Sequence, residues 1–196
     1  DLMPLPLEQP GGDGRIDAAG QADDHALGFH AGDCPQFVRR MPAMHLTHRP
    51  AVPDDAPACI ALRGRTRQNA VPEDRLAAYG ITAASWAAGI RSGATPGHVC
   101  LQGDQLVGYC FGDRDTGEVV VLALLPAFEG QGLGRDLLGR VVAQLAGQGW
   151  QRLFLGCSTD PASRSHGFYR HLGWQPTGRL DGHGDEILEL HLPAPG

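Results

Sequence analysis

The chain has 196 residues, room for one globular domain with a short extra segment. All 16 of its basic residues are Arg, which excludes a Walker-type phosphate loop and Schiff-base or pyridoxal chemistry, since each needs a lysine amine. The formal charge of −6 leaves no basic face for a nucleic acid, and the five cysteines, without a C-x-x-C pair, suggest free thiols in a reducing cytoplasm rather than a zinc site or disulfide framework.

Residues 1–43 hold seven acids against Arg15, Arg39 and Arg40, with Gly-Gly-Asp-Gly at 11–14 and no apolar period. Such a segment has little to bury, so it is expected to be a disordered or loosely attached extension, with the folded domain occupying 44–196. No basic start followed by an apolar run opens the chain, so no signal peptide is expected. The longest apolar stretch, Val119 to Leu125, is far short of the ~20 residues of a membrane helix.

The domain then alternates between two periodicities. His45–Arg49 is a short strand candidate, and Asp54 precedes a helical run through Ala58, Ile60 and Leu62 that carries Arg63, Arg65 and Arg67. Pro72 opens a second helix and Thr82 caps a third, with Trp86 and Ile90 on one face. Strands are predicted over His98–Leu101, Gln105–Phe111 and Glu118–Leu125, joined by turns at Gly103-Asp104 and Asp113–Gly117. Leu133, Leu137, Leu138, Val141, Val142 and Leu145 then form the apolar stripe of a long helix. A buried strand over Arg152–Cys157, a helix over Pro161–Leu172, and strands near Trp174–Arg179 and Glu186–Leu192 complete the order. This pattern predicts a mixed α/β (α+β) fold: about seven mostly antiparallel strands with helices on both faces.

Between the third long strand and the long helix lies Glu129-Gly130-Gln131-Gly132-Leu133-Gly134-Arg135. Three glycines let the backbone approach a ligand, and the helix start offers unpaired N–H groups to a phosphate. The dinucleotide fingerprint fails, because Leu137 stands where its third glycine belongs, which disfavours a nucleotide-dependent oxidoreductase. The run Leu124-Leu125-Pro126 followed by Gly130 to Arg135 resembles the acetyl-CoA motif of the GNAT acetyltransferases, Arg/Gln-x-x-Gly-x-Gly/Ala. Downstream, Phe168-Tyr169-Arg170-His171-Leu172-Gly173-Trp174 is similar to the family's Tyr-x-x-Leu-Gly-Phe segment, and the resemblance spans roughly residues 44–192.

The resemblance implies a GNAT-like fold and an enzyme that moves an acetyl group from acetyl-CoA to a primary amine by direct attack in a ternary complex. A small-molecule acceptor is expected, with no nucleic acid or membrane partner, and a homodimer stays open. A non-catalytic CoA-binding sensor or interaction domain is the competing reading. The motif implies cofactor contacts from Gly130, Gln131, Gly132, Leu133, Gly134 and Arg135, from the strand residues Leu122 and Leu124, and from Phe168. A backbone N–H near Leu124 would polarise the thioester carbonyl. Tyr169 would protonate the leaving thiolate; otherwise it is an aromatic core residue beside Phe168. Glu118 stands where some relatives carry a catalytic Glu, and equally suits a solvated strand end.

Two residues depart from the family pattern. Glu129 replaces the usual Arg or Gln, and unit charges 4 Å apart repel by about 4 kcal/mol at an effective dielectric of 20, so its side chain is expected to turn away to solvent. Ala162 replaces an Asn that bonds the pantetheine arm, a contact Ser163 can supply instead. Arg63 and Arg67 share one face of the predicted helix and offer a clamp for an acceptor carboxylate or phosphate, or else a solvated face. His183, in a Gly-flanked loop, either lines the acceptor entrance or is simply hydrated. No metal site is expected: His45 and His48 face opposite sides of a strand, and His166 and His171 are separated on their helix. Cys157 reads as a small core residue, not an acyl carrier.

Overall fold

The computed structural model of the protein describes residues 45–193. The readings made for residues 1–43 lie outside the described residues. The chain runs β1 (Leu46–Pro50), α1 (Ala56–Arg63), α2 (Glu73–Ala78), α3 (Ala83–Ser92), β2 (Gly97–Gln102), β3 (Gln105–Gly112) and β4 (Val119–Leu124). It continues through α4 (Leu133–Gly147), β5 (Arg152–Cys157), α5 (Arg164–His171), β6 (Gln175–Leu180) and β7 (Glu186–His191). The mixed α/β class, the seven strands and the antiparallel bias agree with the sequence pattern. Hydrogen bonding divides these strands into two antiparallel sheets, ordered β1-β2-β3-β4 and β5-β7-β6. Among the described residues they meet at a single parallel bridge, between Glu118 and Phe154.

Strand β3 shows why the first sheet is covered on both faces. Its odd positions Tyr109 and Phe111 meet the Trp86 ring of α3 edge-on, with centroids 5.5 and 5.2 Å away. After Leu106 its even positions Gly108, Cys110 and Gly112 are small: a Cβ on Gly108 would collide with Leu124 and crowd Leu137, and one on Gly112 would crowd Leu145 and Val141 of α4. The pleat therefore sends aromatic rings to one layer and admits the leucine stripe of α4 on the other. Leu133, Leu137, Leu138, Val141 and Leu145 of that stripe are all buried. At roughly 1.5–3 kcal/mol per fully buried aliphatic side chain, they are a main source of the domain's stability.

Local chemistry sets the helix ends. Thr82 and Ser85 form a reciprocal capping box at the start of α3, and Gly93, at φ 73°, ends it in the left-handed region. Helix α1 is shorter than the predicted run. It stops at Arg63, where Arg65 N–H bonds Leu62 O, Thr66 Oγ1 bonds Arg63 O and Val71 N–H bonds Arg63 O. Arg63 and Arg67 therefore do not share a helix face, because Arg67 lies in the coil that follows. Helix α5 likewise begins at Arg164, three residues after Pro161. Asp160 draws the chain into a turn first, its carboxylate accepting from Ala162 N–H and its carbonyl from Ser163 N–H.

Candidate active site

Strand β4 is the last strand of the first sheet, and beyond Glu118 no ladder joins it to β5. Leu125 N–H bonds Val107 O on β3. Because backbone groups alternate in direction along a strand, the N–H groups of Leu124 and Leu122 point to the opposite edge, away from β3. That edge opens on a cavity of about 470 Å³, which the side chains of Leu122 and Leu124 also border.

One end of the cavity is the glycine turn. Gly130 and Gly132 take φ values of 76° and 85°, which any L side chain would resist, and a Cβ at either would find empty space. Gly132 is the N-cap of the 15-residue α4, and no side chain caps that end. The first-turn amides of Leu133, Gly134 and Arg135 precede the first α4 backbone bond, from Asp136 N–H to Gly132 O. Gly134 is packed closely: a Cβ there would stand 3.4 Å from Leu124 Cδ1 and 3.5 Å from Phe168 Cζ. Gly130, Gly132, Gly134, Arg135 and Phe168 border the cavity. Gln131 and Leu133 do not, since Gln131 Nε2 donates to Ala127 O and Leu133 is buried in the core.

Glu129 does not turn to solvent. Its side chain is 16 % exposed and faces the cavity, where its Oε2 accepts from Arg67 Nε at 2.7 Å and from Arg164 Nη1. The repulsion anticipated for this carboxylate is offset by two guanidinium groups from outside the loop. Ser163 is the N-cap of α5, and its hydroxyl is hydrogen-bonded to that of Ser165, which borders the cavity in its place.

Tyr169, Arg63 and three carboxylates also border the cavity. Tyr169 touches Phe168 and Trp174 edge-on, and burial raises its hydroxyl above the ordinary tyrosine range, while the Arg63 charge pulls the other way. The group therefore keeps its proton near neutrality, as a general acid must. Arg63 donates from Nη1 to Asn69 O, has a buried Nε without a hydrogen-bond partner among the described residues, and borders the cavity. Glu118 is raised by burial first and then by Asp113 and Asp181. Asp185 is pushed up to about 6 by burial and by Asp181, with His183 opposing. Asp181 holds the β6–β7 turn, its Oδ1 accepting from His183 N–H and Asp185 N–H. Gly156 on β5 makes room for this pair: a Cβ there would lie 3.3 Å from Asp181 Oδ2. Glu118, Asp181 and Asp185 border the cavity, whereas the His183 side chain does not. Asp181, Asp185, Arg164 and Ser165 were not singled out from the sequence. The one available signal was a pair of acids in a Gly-rich turn between strands.

The profile of the Acetyltransferase (GNAT) family matches residues 64–174, from the end of α1 to the start of β6. The chain belongs to the GNAT acetyltransferase family. No curated protein sequence matches this GNAT chain. Its fold is shared with the PaiA N-acetyltransferase of Thermoplasma acidophilum, solved in complex with coenzyme A, at TM-score 0.64 and 17% identity, over 76% of this chain and 99% of that one. It is also shared with YncA of Salmonella typhimurium, solved with its cofactor acetyl-CoA, at TM-score 0.59 and 20% identity, over 78% and 96%. The ribosomal-protein-S18-alanine N-acetyltransferase of Escherichia coli matches at TM-score 0.57 and 20% identity, over 78% and 97%. At such identities the likeness is one of fold, and the acetyltransferase assignment comes from the family.

Proposed function

We propose that this GNAT protein transfers the acetyl group of acetyl-CoA to a primary amine of a small-molecule acceptor, by direct attack while both are bound. One juxtaposition supports the reading: the uncapped start of α4, the free edge of β4 and Tyr169 border one cavity. The residues present fit the donor. The amides of Leu133, Gly134 and Arg135 offer positive partial charge to a pyrophosphate, and the β4 edge offers backbone N–H and C=O groups to a pantetheine arm. Acetyl-CoA supplies an activated acyl group on a good thiolate leaving group.

The protein's own groups do the rest. The Leu124 N–H donates to the thioester oxygen as charge develops there. Tyr169 gives its proton to the departing sulfur. The ammonium proton passes to the carboxylate group of Glu118, Asp181 and Asp185; Asp185, pushed up to about 6, suits a base working near neutrality. The setting is a reducing cytoplasm, consistent with Cys59, Cys100, Cys110 and Cys157 as free, buried thiols. Among the described residues no helix is long and apolar enough to cross a membrane.

The test is the thermal midpoint with and without acetyl-CoA, with NADH as control. Near 100 times Kd the ligand stabilises by about 2.7 kcal/mol, on the order of 5–10 °C for a chain of this size. An acetyl-CoA shift is expected, followed by free-thiol release with members of an amine panel. No shift withdraws the acetyl-CoA reading. A shift with no thiol release from any amine favours a CoA-binding module without catalysis.

A further inference from the structure

We propose that Arg67 and Arg164 are phosphate-binding side chains of the coenzyme site, held over the glycine turn by Glu129 until a phosphate of coenzyme A displaces its carboxylate. The inference rests on the acetyl-CoA reading above.

Three separate segments meet at this point. Glu129 opens the glycine turn, Arg67 comes from the coil after α1, 62 residues away in sequence, and Arg164 begins α5, 35 residues away. Both guanidiniums converge on the same oxygen, Glu129 Oε2. Arg67 Nη2 also reaches Pro126 O, and Arg164 N–H donates to Gln68 Oε1 at 3.3 Å. All three charged side chains border the cavity.

The charge balance is uneven. Two cations face one anion, so a positive charge remains beside the uncapped start of α4, where Arg135 adds another. The exposures are uneven as well. The arginine side chains are 56 % and 53 % exposed, whereas Glu129 is 16 % exposed. The guanidiniums are therefore the members free to swing, and the carboxylate is the covered anchor.

A phosphate has more acceptor oxygens than a carboxylate, and the planar guanidinium fork matches it. Loop amides can cradle a phosphate but bring no full charge, and the chain has no lysine. The arginine that the GNAT motif carries inside the turn is thus replaced by two arginines delivered from either side. Glu129 keeps them in place when no anion is bound and competes with the phosphate when one arrives.

Calorimetric titration with coenzyme A at 50 and 500 mM salt tests this on the wild type, Arg67→Ala, Arg164→Ala and Glu129→Gln. Each arginine variant is expected to weaken binding by about tenfold at low salt, with the deficit shrinking at high salt. Glu129→Gln is expected to tighten binding by about threefold or more, because the competing charge is gone. Unliganded midpoints within about 3 °C of wild type confirm that the variants fold. Arg67→Gln and Arg164→Gln serve where an alanine variant does not. Arginine variants that bind as the wild type does overturn the proposal, and so does a deficit independent of salt, which marks damaged packing. A Glu129→Gln variant as weak as the arginine variants also overturns it, since Glu129 would then be a fixed support. Failure of the wild type to bind coenzyme A is a different result, because it removes the acetyl-CoA reading itself.

Discussion

Along β3 every residue after Gln105 is buried, while along β6 every residue except Thr177 is exposed. The cause is position. β3 lies between two neighbouring strands and beneath helices on both faces, whereas β6 is an edge strand of the second sheet. Its pairing with β7 breaks between Pro176 and Leu180, and Gly178 there has φ 73°. The two halves consequently do different work. The first sheet with α4 is a packed scaffold that holds the β4 edge and the glycine turn in place. The second half contributes Tyr169 on α5 and the acids of the β6–β7 turn, which border the cavity and are the groups proposed to carry the chemistry.

This contrast can be broken by substitutions that dissociate stability from chemistry. The largest effect is expected for Tyr169→Phe. It should lower kcat by about 10²–10⁴ while leaving acetyl-CoA affinity nearly unchanged, as steady-state kinetics beside calorimetry will show. An unaltered rate would remove Tyr169 from the chemistry and return it to the aromatic cluster with Phe168 and Trp174.

Next comes the scaffold itself. Leu137→Ala, at a fully buried position of α4, should cost about 2–5 kcal/mol in urea unfolding while the substrate KM of the folded fraction holds. A smaller loss would mean that the first sheet can collapse around the gap and is less rigid than its burial implies.

The carboxylate group sharpens the contrast through pH. With Asp185 at about 6, kcat/KM should climb with pH up to that value and then level off, roughly tenfold per unit on the acid side, and Asp185→Asn should remove the limb. The linked stability effect has the opposite sign. A carboxyl group whose pKa is raised in the folded state holds its proton more tightly there, so its contribution is present below about pH 4 and is lost as pH rises through about 6. Asp185→Asn should therefore flatten stability over that interval in a pH series of thermal midpoints. The smallest effect belongs to the β6 edge. Leu180→Ala, at a side chain 61% exposed, should stay within about 0.5 kcal/mol of wild type in the same urea assay.

Regular periodicity made most of the fold legible. Short apolar runs bounded by turn residues marked β2, β3 and β4, and the leucine stripe marked α4, because both patterns report burial. Irregular chemistry was less legible. The stop of α1 at Arg63 depends on Thr66 and Val71 satisfying its last carbonyl, and the late start of α5 depends on an Asp160 turn. Both are local hydrogen bonds that compete with a helix without disturbing its apolar period.

The same division holds at the site. Spacing along the chain determined the glycine turn, the strand before it and the tyrosine helix, since a turn that requires positive φ and a strand that is buried leave marks in their own residues. Tertiary structure alone decided what meets them: Arg67 and Arg164 on Glu129, and Glu118 within the field of Asp181. Charges far apart in sequence become neighbours only when the backbone closes around a cavity, and no local pattern encodes which of them will share it.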